Sequence, residues 1–149
     1  MYKRILVPTD GSETATLGLK EAIRLAQVHG GQIRVIHVVD ELAAALPNVY
    51  GPVLEQLGEQ LRKAGTTALA TARAMVDNAG VKIETRLVEA FGGPAGEHII
   101  TEAKDWPADV IVCGTHGRRG VRRIVMGSDA EFIVRRSPVP ILLVRAEQT

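Results

Sequence analysis

Five short apolar runs, each rich in β-branched residues, alternate along this chain with longer stretches of helical periodicity. The runs are Ile5-Leu6-Val7, then residues 33–39, 81–88, 109–113 and 139–144. The first, fourth and fifth are almost wholly apolar, as strands covered on both faces are, while the third alternates and predicts a more exposed strand. Between them, residues 14–29 place Leu19, Ala22, Ile23 and Ala26 on one helical face. Residues 54–79 carry a long leucine-alanine stripe, with Gly58 or Gly65 as expected points of bending. Residues 94–104 open on Pro94, which suits a first helical turn, and residues 128–136 open on Ser128, which suits an N-cap. Strand-helix alternation of this kind predicts an α/β fold: a parallel sheet with helices on both faces and right-handed crossovers. Residues 40–53 are the one long irregular connection, read as a lid, a dimer contact or simply a mobile loop.

A chain of 149 residues is enough for one domain, expected to span 1–149, with a real core. The net charge of +1 and an aromatic content of 3% leave neither the field nor the stacking surface that nucleic-acid binding needs. The only cysteine, Cys113, excludes an internal disulfide. No apolar run approaches the roughly 20 residues that cross a bilayer. The opening Met1 to Pro8 runs straight into a strand pattern without the apolar region of a secretory signal. The expectation is a cytoplasmic protein with no membrane partner.

Chemistry concentrates between the fourth strand and the last helix, in residues 114–128: Gly-Thr-His-Gly-Arg-Arg-Gly-Val-Arg-Arg-Ile-Val-Met-Gly-Ser. Glycines at a strand end let backbone amides approach a ligand without a Cβ in the way. A helix N-terminus adds free N–H groups and a positive dipole end, which favour phosphate. Ser128 offers a hydroxyl to a phosphate or a metal, and Arg118, with Arg119, Arg122 and Arg123, offers cations. The same pattern also fits an ordinary turn with Ser128 as a helix cap. It is neither a Walker A loop nor a G-x-G-x-x-G fingerprint. A second strand end, Val7-Pro8-Thr9-Asp10-Gly11-Ser12, presents Asp10 to a ribose or base, or uses it with Ser12 as turn former and cap.

Val7 to Ser12 resembles the opening of the universal stress protein family. Gly114-x2-Gly117-x9-Gly127-Ser128 is similar to that family's ATP-binding pattern. Gly92-Gly93-Pro94-Ala95 with Ile99 resembles the start of its third helix, and residues 137–144 resemble its closing strand. The resemblance spans almost the whole chain. It implies a Rossmann-like, doubly wound five-stranded parallel sheet of order 3-2-1-4-5, with a ligand cleft at the switch between strands one and four. It further implies that Pro8, Thr9 and Asp10 line the nucleoside side and that Val38 touches adenine. Gly114 and Gly117 would pass close to ribose and phosphates, with Arg118 beside them. Gly127, Ser128 and the amide of Asp129 would hold the phosphate tail. ATP, or ADP or AMP, would come with Mg²⁺ or Mn²⁺, and the chain would dimerise through Val139 to Val144.

Asp129 departs from the family pattern, which favours a small apolar residue there. Its carboxylate would repel phosphate if it pointed inward, bind a metal, or face solvent as a helix-start acid, the reading favoured here. His116 is read as a polar loop residue, His37 as a satisfied sheet residue, His29 and His98 as helix-surface residues, Cys113 as core, and Trp106-Pro107 as a packed turn. Three functions remain: a nucleotide-responsive regulator or stress module, a slow ATPase or nucleotide-dependent enzyme, and a dimeric interaction protein without nucleotide. Binding ranks above catalysis because no carboxylate or glutamine is clearly placed to orient water.

Overall fold

A computed structural model describes residues 1–40, 51–90, 92–115 and 126–146. The expected lid or contact at 40–53 lies mostly outside these residues, as do His116, Gly117, Arg118, Arg119, Arg122 and Arg123. Elements run β1 (Arg4–Pro8), α1 (Glu13–His29), β2 (Gln32–Asp40), α2 (Pro52–Asn78), β3 (Lys82–Ala90), α3 (Ala95–Asp105), β4 (Val110–Gly114), α4 (Ser128–Arg136) and β5 (Ile141–Val144). The strands form one parallel sheet in the order β3-β2-β1-β4-β5, as expected.

Alternation within the strands builds two cores. Ile5, Val7, Ile33, Val35, Val110 and Val112 point to one face, under Leu19, Ala22 and Ala26 of α1 and Leu69, Ala72 and Val76 of α2. Leu6, Ile36 and Ile111 point to the other, under Ile99 and Ala103 of α3 and Ile133 of α4. The two-sided burial explains why β1 and β4 read as unbroken apolar runs. β3, an edge strand, has a single buried residue, Ala90.

Two local expectations are corrected, at Pro94 and at the start of β5. α2 continues through both Gly58 and Gly65 as one helix. Gly65 is there for close approach: a Cβ would lie 2.5 Å from His37 Cδ2 and 2.8 Å from Leu87 Cδ1, so α2 reaches the sheet only because that atom is missing. Pro94 is the N-cap of α3 and not its first helical residue. β5 starts at Ile141, because Ser137 and Val139 close a side-chain turn and Pro140 has no N–H to give the ladder.

A charged cluster fastens β2, β3 and α3. Glu102, 4% exposed, accepts from Arg34 at 2.7 Å and Arg86 at 2.5 Å, and Arg34 also pairs with Glu84 and stacks 4.6 Å from the Trp106 ring centroid. Trp106 is buried at the α3 terminus, which fits the packed turn expected there.

Candidate functional site

Parallel register brings the expected residues to one end of the sheet. β1 pairs with β2 through Pro8↔Ile36 and with β4 through Leu6↔Ile111. Pro8, Thr9, Asp10, Val38 and Gly114 therefore all sit at the C-terminal ends of three neighbouring strands. The strand order reverses there, stepping outward from β1 to β2 on one side and to β4 on the other, which is where such sheets receive ligands.

The turn after β1 is closed by its own groups. Thr9 N–H donates to Ile36 O at 2.9 Å, and His37 Nδ1 lies 2.8 Å from Thr9 O, so that nitrogen carries the proton. Gly11 N–H donates to Thr9 Oγ1 at 3.2 Å and Ser12 N–H to Asp10 Oδ1 at 2.9 Å. Ser12 then caps α1 by accepting Ala15 N–H at 3.2 Å. The turn-and-cap roles read for Asp10 and Ser12 are both present, and His37 is a satisfied sheet residue.

The β4–α4 junction is built differently. Thr115, buried beneath it, donates its N–H to Val144 O at 3.0 Å and accepts Gly127 N–H at 2.8 Å. That clasp brings Gly127 and Ser128 back to the strand end that Gly114 leaves. Gly127 is the N-cap of α4 and, among the described residues, no side chain caps the helix; Ser128 is its first residue. The expected Ser128 cap is corrected: its hydroxyl is exposed and makes no helix-capping bond. Gly114 is also where the two junctions touch. A Cβ there would lie 2.7 Å from Thr14 Cγ2 and 2.9 Å from Thr14 O, so the first turn of α1 rests directly on β4. Sequence reasoning missed Thr14, Thr115 and the Gly114 contact, because each depends on what lies opposite in space.

Asp129 is exposed, yet its Oδ1 accepts the Gly96 N–H of α3 at 3.3 Å. The favoured solvent-facing reading is thus incomplete: the acid is shared with the neighbouring helix. Cys113, 4% exposed, has its thiol pushed up to about 11 by burial and behaves as core. His98 Nε2 sits 3.0 Å from Gly92 O, and His29 stacks edge-on with Tyr2. Among the described residues no three His, Cys, Asp or Glu side chains cluster to hold a metal. Nor is any helix among them long and apolar enough to cross a membrane. A furrow of about 500 Å³ between α1 and α2 is lined by Thr9, Leu19, Lys63, Ala68 and Ala72 among others. Among the described residues it shares only Thr9 with the expected nucleotide set.

Comparison with known proteins gives a consistent picture. The family model described as "Universal stress protein family" matches residues 1–145. Universal stress protein MJ0531 of Methanocaldococcus jannaschii is 37% identical over 148 residues, covering 97% of this chain and 83% of its own. The structure of protein MJ0577 superimposes with a TM-score of 0.87 at 28% identity, over 100% of this chain and 99% of that one. UspA from Lactobacillus plantarum superimposes with a TM-score of 0.82 at 26% identity, over 97% and 98%. A universal stress protein solved with cAMP (TM-score 0.70, 22% identity, 98% of each chain) shares the fold. So does one from Archaeoglobus fulgidus solved with dAMP (TM-score 0.70, 21% identity, 96% and 98%).

Proposed function

This chain belongs to the universal stress protein family, and on that footing we propose that it binds an adenine nucleotide, ATP foremost, across the ends of β1 and β4. Occupancy would switch a regulatory or stress-protection role. The observation that carries the reading is the start of α4. It follows a segment whose sequence is glycine-rich, is clasped to the end of β4 through Thr115 and Gly127, and has no side-chain cap from the described residues. Such a terminus offers N–H donors and a positive dipole end to an anion. In this reading Pro8, Thr9, Asp10 and Val38 wall the nucleoside. Gly114, Gly117 and Arg118 flank ribose and phosphates, and Gly127, Ser128 and the Asp129 amide take the phosphate tail. Universal stress proteins solved with cAMP and dAMP lend precedent for an adenine nucleotide on this fold.

Among the described residues no three His, Cys, Asp or Glu side chains gather to supply a metal site by themselves. Mg²⁺ or Mn²⁺ would arrive as the nucleotide's own counter-ion. The reading places the protein in the cytoplasm as a homodimer joined through β5, an edge strand whose Leu142 is 37% exposed. An apolar edge of this kind calls for cover. Sedimentation of a Leu142→Lys variant checks the dimer: a monomer is expected, and an unchanged dimer places the interface elsewhere.

The test is a melting scan with ATP, ADP, AMP, NAD or no ligand, with and without Mg²⁺. Nucleotide at 100 times its Kd should stabilise the fold by about 2.7 kcal/mol. No shift with any adenine nucleotide at millimolar concentration overturns the proposal and leaves a nucleotide-free interaction protein. Steady phosphate release well above that of a Gly117→Val control would move the reading to an enzyme.

A further inference from the structure

Asp129 carries a carboxylate one residue into the helix whose N-terminus the proposed function gives to phosphate. Left facing that anion, it would oppose binding, because like charges a few ångströms apart repel by kilocalories outside bulk water. The fold turns it elsewhere. α3 begins with Pro94 as its N-cap and has no side-chain cap of its own. Its Gly96 N–H points across to α4 and donates to Asp129 Oδ1 at 3.3 Å. The two helices can come this close because Gly96 lacks a Cβ: one would lie 2.9 Å from Phe132 Cδ1 and 3.2 Å from Asp129 O. The carboxylate of α4 thus sits at the positive end of α3, where a negative charge is favoured.

We propose that Asp129 is a positioning residue: its carboxylate, bonded across to the α3 N-terminus at Gly96, fixes the first turn of α4 and keeps its own charge away from the phosphate that its backbone amide faces. The proposal rests on the nucleotide reading above and deepens it. One residue then has two separate duties, an amide for the ligand and a carboxylate for the neighbouring helix. A small apolar residue at this position would avoid the repulsion but could not tie the helices.

Three proteins test this: wild type, Asp129→Ala and Asp129→Asn, the last of which keeps an acceptor oxygen. Calorimetry is run with ATP and with AMP, and exchange of the Gly96 amide is followed by NMR without nucleotide. Losing a helix-capping acceptor should weaken ATP by about fivefold in Asp129→Ala. AMP, which lacks the phosphate tail, should bind within about twofold of wild type, and Asp129→Asn should restore most of the ATP affinity. The Gly96 amide should exchange slowly in wild type and Asp129→Asn, and faster in Asp129→Ala. Tighter ATP binding in both variants would mean that the carboxylate faces the phosphate, and the proposal falls. It falls equally if Asp129→Ala leaves the ATP-to-AMP ratio unchanged, or if Gly96 exchange is the same in all three. Slow Gly96 exchange together with no binding of any adenine nucleotide keeps the inter-helix tie and overturns the nucleotide role of both Asp129 and the site.

Discussion

The two strand-to-helix junctions that meet at the middle of the sheet treat their hydrogen-bond donors in opposite ways. After β1, side chains from the turn itself take the N–H groups of Gly11, Ser12 and Ala15, and His37 holds the Thr9 carbonyl. After β4, a backbone bond from Gly127 to Thr115 closes the described part of the junction, and none of the described side chains caps α4. The first junction is a finished wall. In the second, no described side chain takes the first N–H groups of the helix. On the proposed nucleotide reading, the contrast divides one sheet end between holding a shape and holding a ligand, and gives the two serines, Ser12 and Ser128, different tasks.

The largest effect should come from forcing the junctions apart. Gly114→Val would place a branched side chain within 3 Å of Thr14 backbone, which cannot yield as a flexible side chain does. A cost of about 3 kcal/mol and a fall in Tm of roughly 10 °C are expected, with the ATP-induced shift lost as well. A variant that melts like wild type would show that the contact is softer than described.

The serine pair sharpens the comparison. Ser128→Ala should weaken ATP by roughly tenfold or more, the value of a hydrogen bond to a charged group, while Tm stays put. Ser12→Ala should do the reverse, costing about 1 kcal/mol of stability through the lost cap while the ATP Kd holds. Denaturation and calorimetry on both variants decide. If Ser12→Ala weakens ATP and Ser128→Ala destabilises the fold, the division of labour is reversed.

Much of this was legible in the chain because the signals are local. The runs at 5–7 and 109–113 read as buried strands, and Ile5 to Val7 and Val110 to Cys113 are each no more than 4% exposed. The run at 139–144 read the same way and is corrected: β5 has no fully buried residue, because it is an edge strand. Helix periodicity placed α1 to within one residue. What stayed hidden depended on the partner across space. Gly65, offered with Gly58 as a point of bending, carries no sign in the sequence that His37 presses on it. Ser128 was read as a cap from residue type alone, although Gly127 occupies that place. The pairing of Asp129 with Gly96, 33 residues earlier, leaves no trace at short range. The Glu102 cluster left a faint one, since Arg34 and Glu84 carry opposite charges and stand in register on neighbouring strands.

The smallest effect probes where the sealed part of the second junction ends. Cys113 is 4% exposed, and the next residue, Gly114, is already half-buried. Burial holds the thiol at about 11 against an ordinary 9.0. The folded state therefore keeps this proton longer than the unfolded chain does. The resulting stabilisation is complete below pH 9 and is lost as pH rises toward 11. Urea midpoints of wild type and Cys113→Ala should accordingly keep a constant difference up to pH 9 and converge or cross above it. At neutral pH, a thiol reagent should react no faster than the protein unfolds, and ATP should slow it further by stabilising the fold. Rapid labelling in the folded state would mean that solvent reaches below Gly114, making the junction after β4 open at its base as well as at its rim.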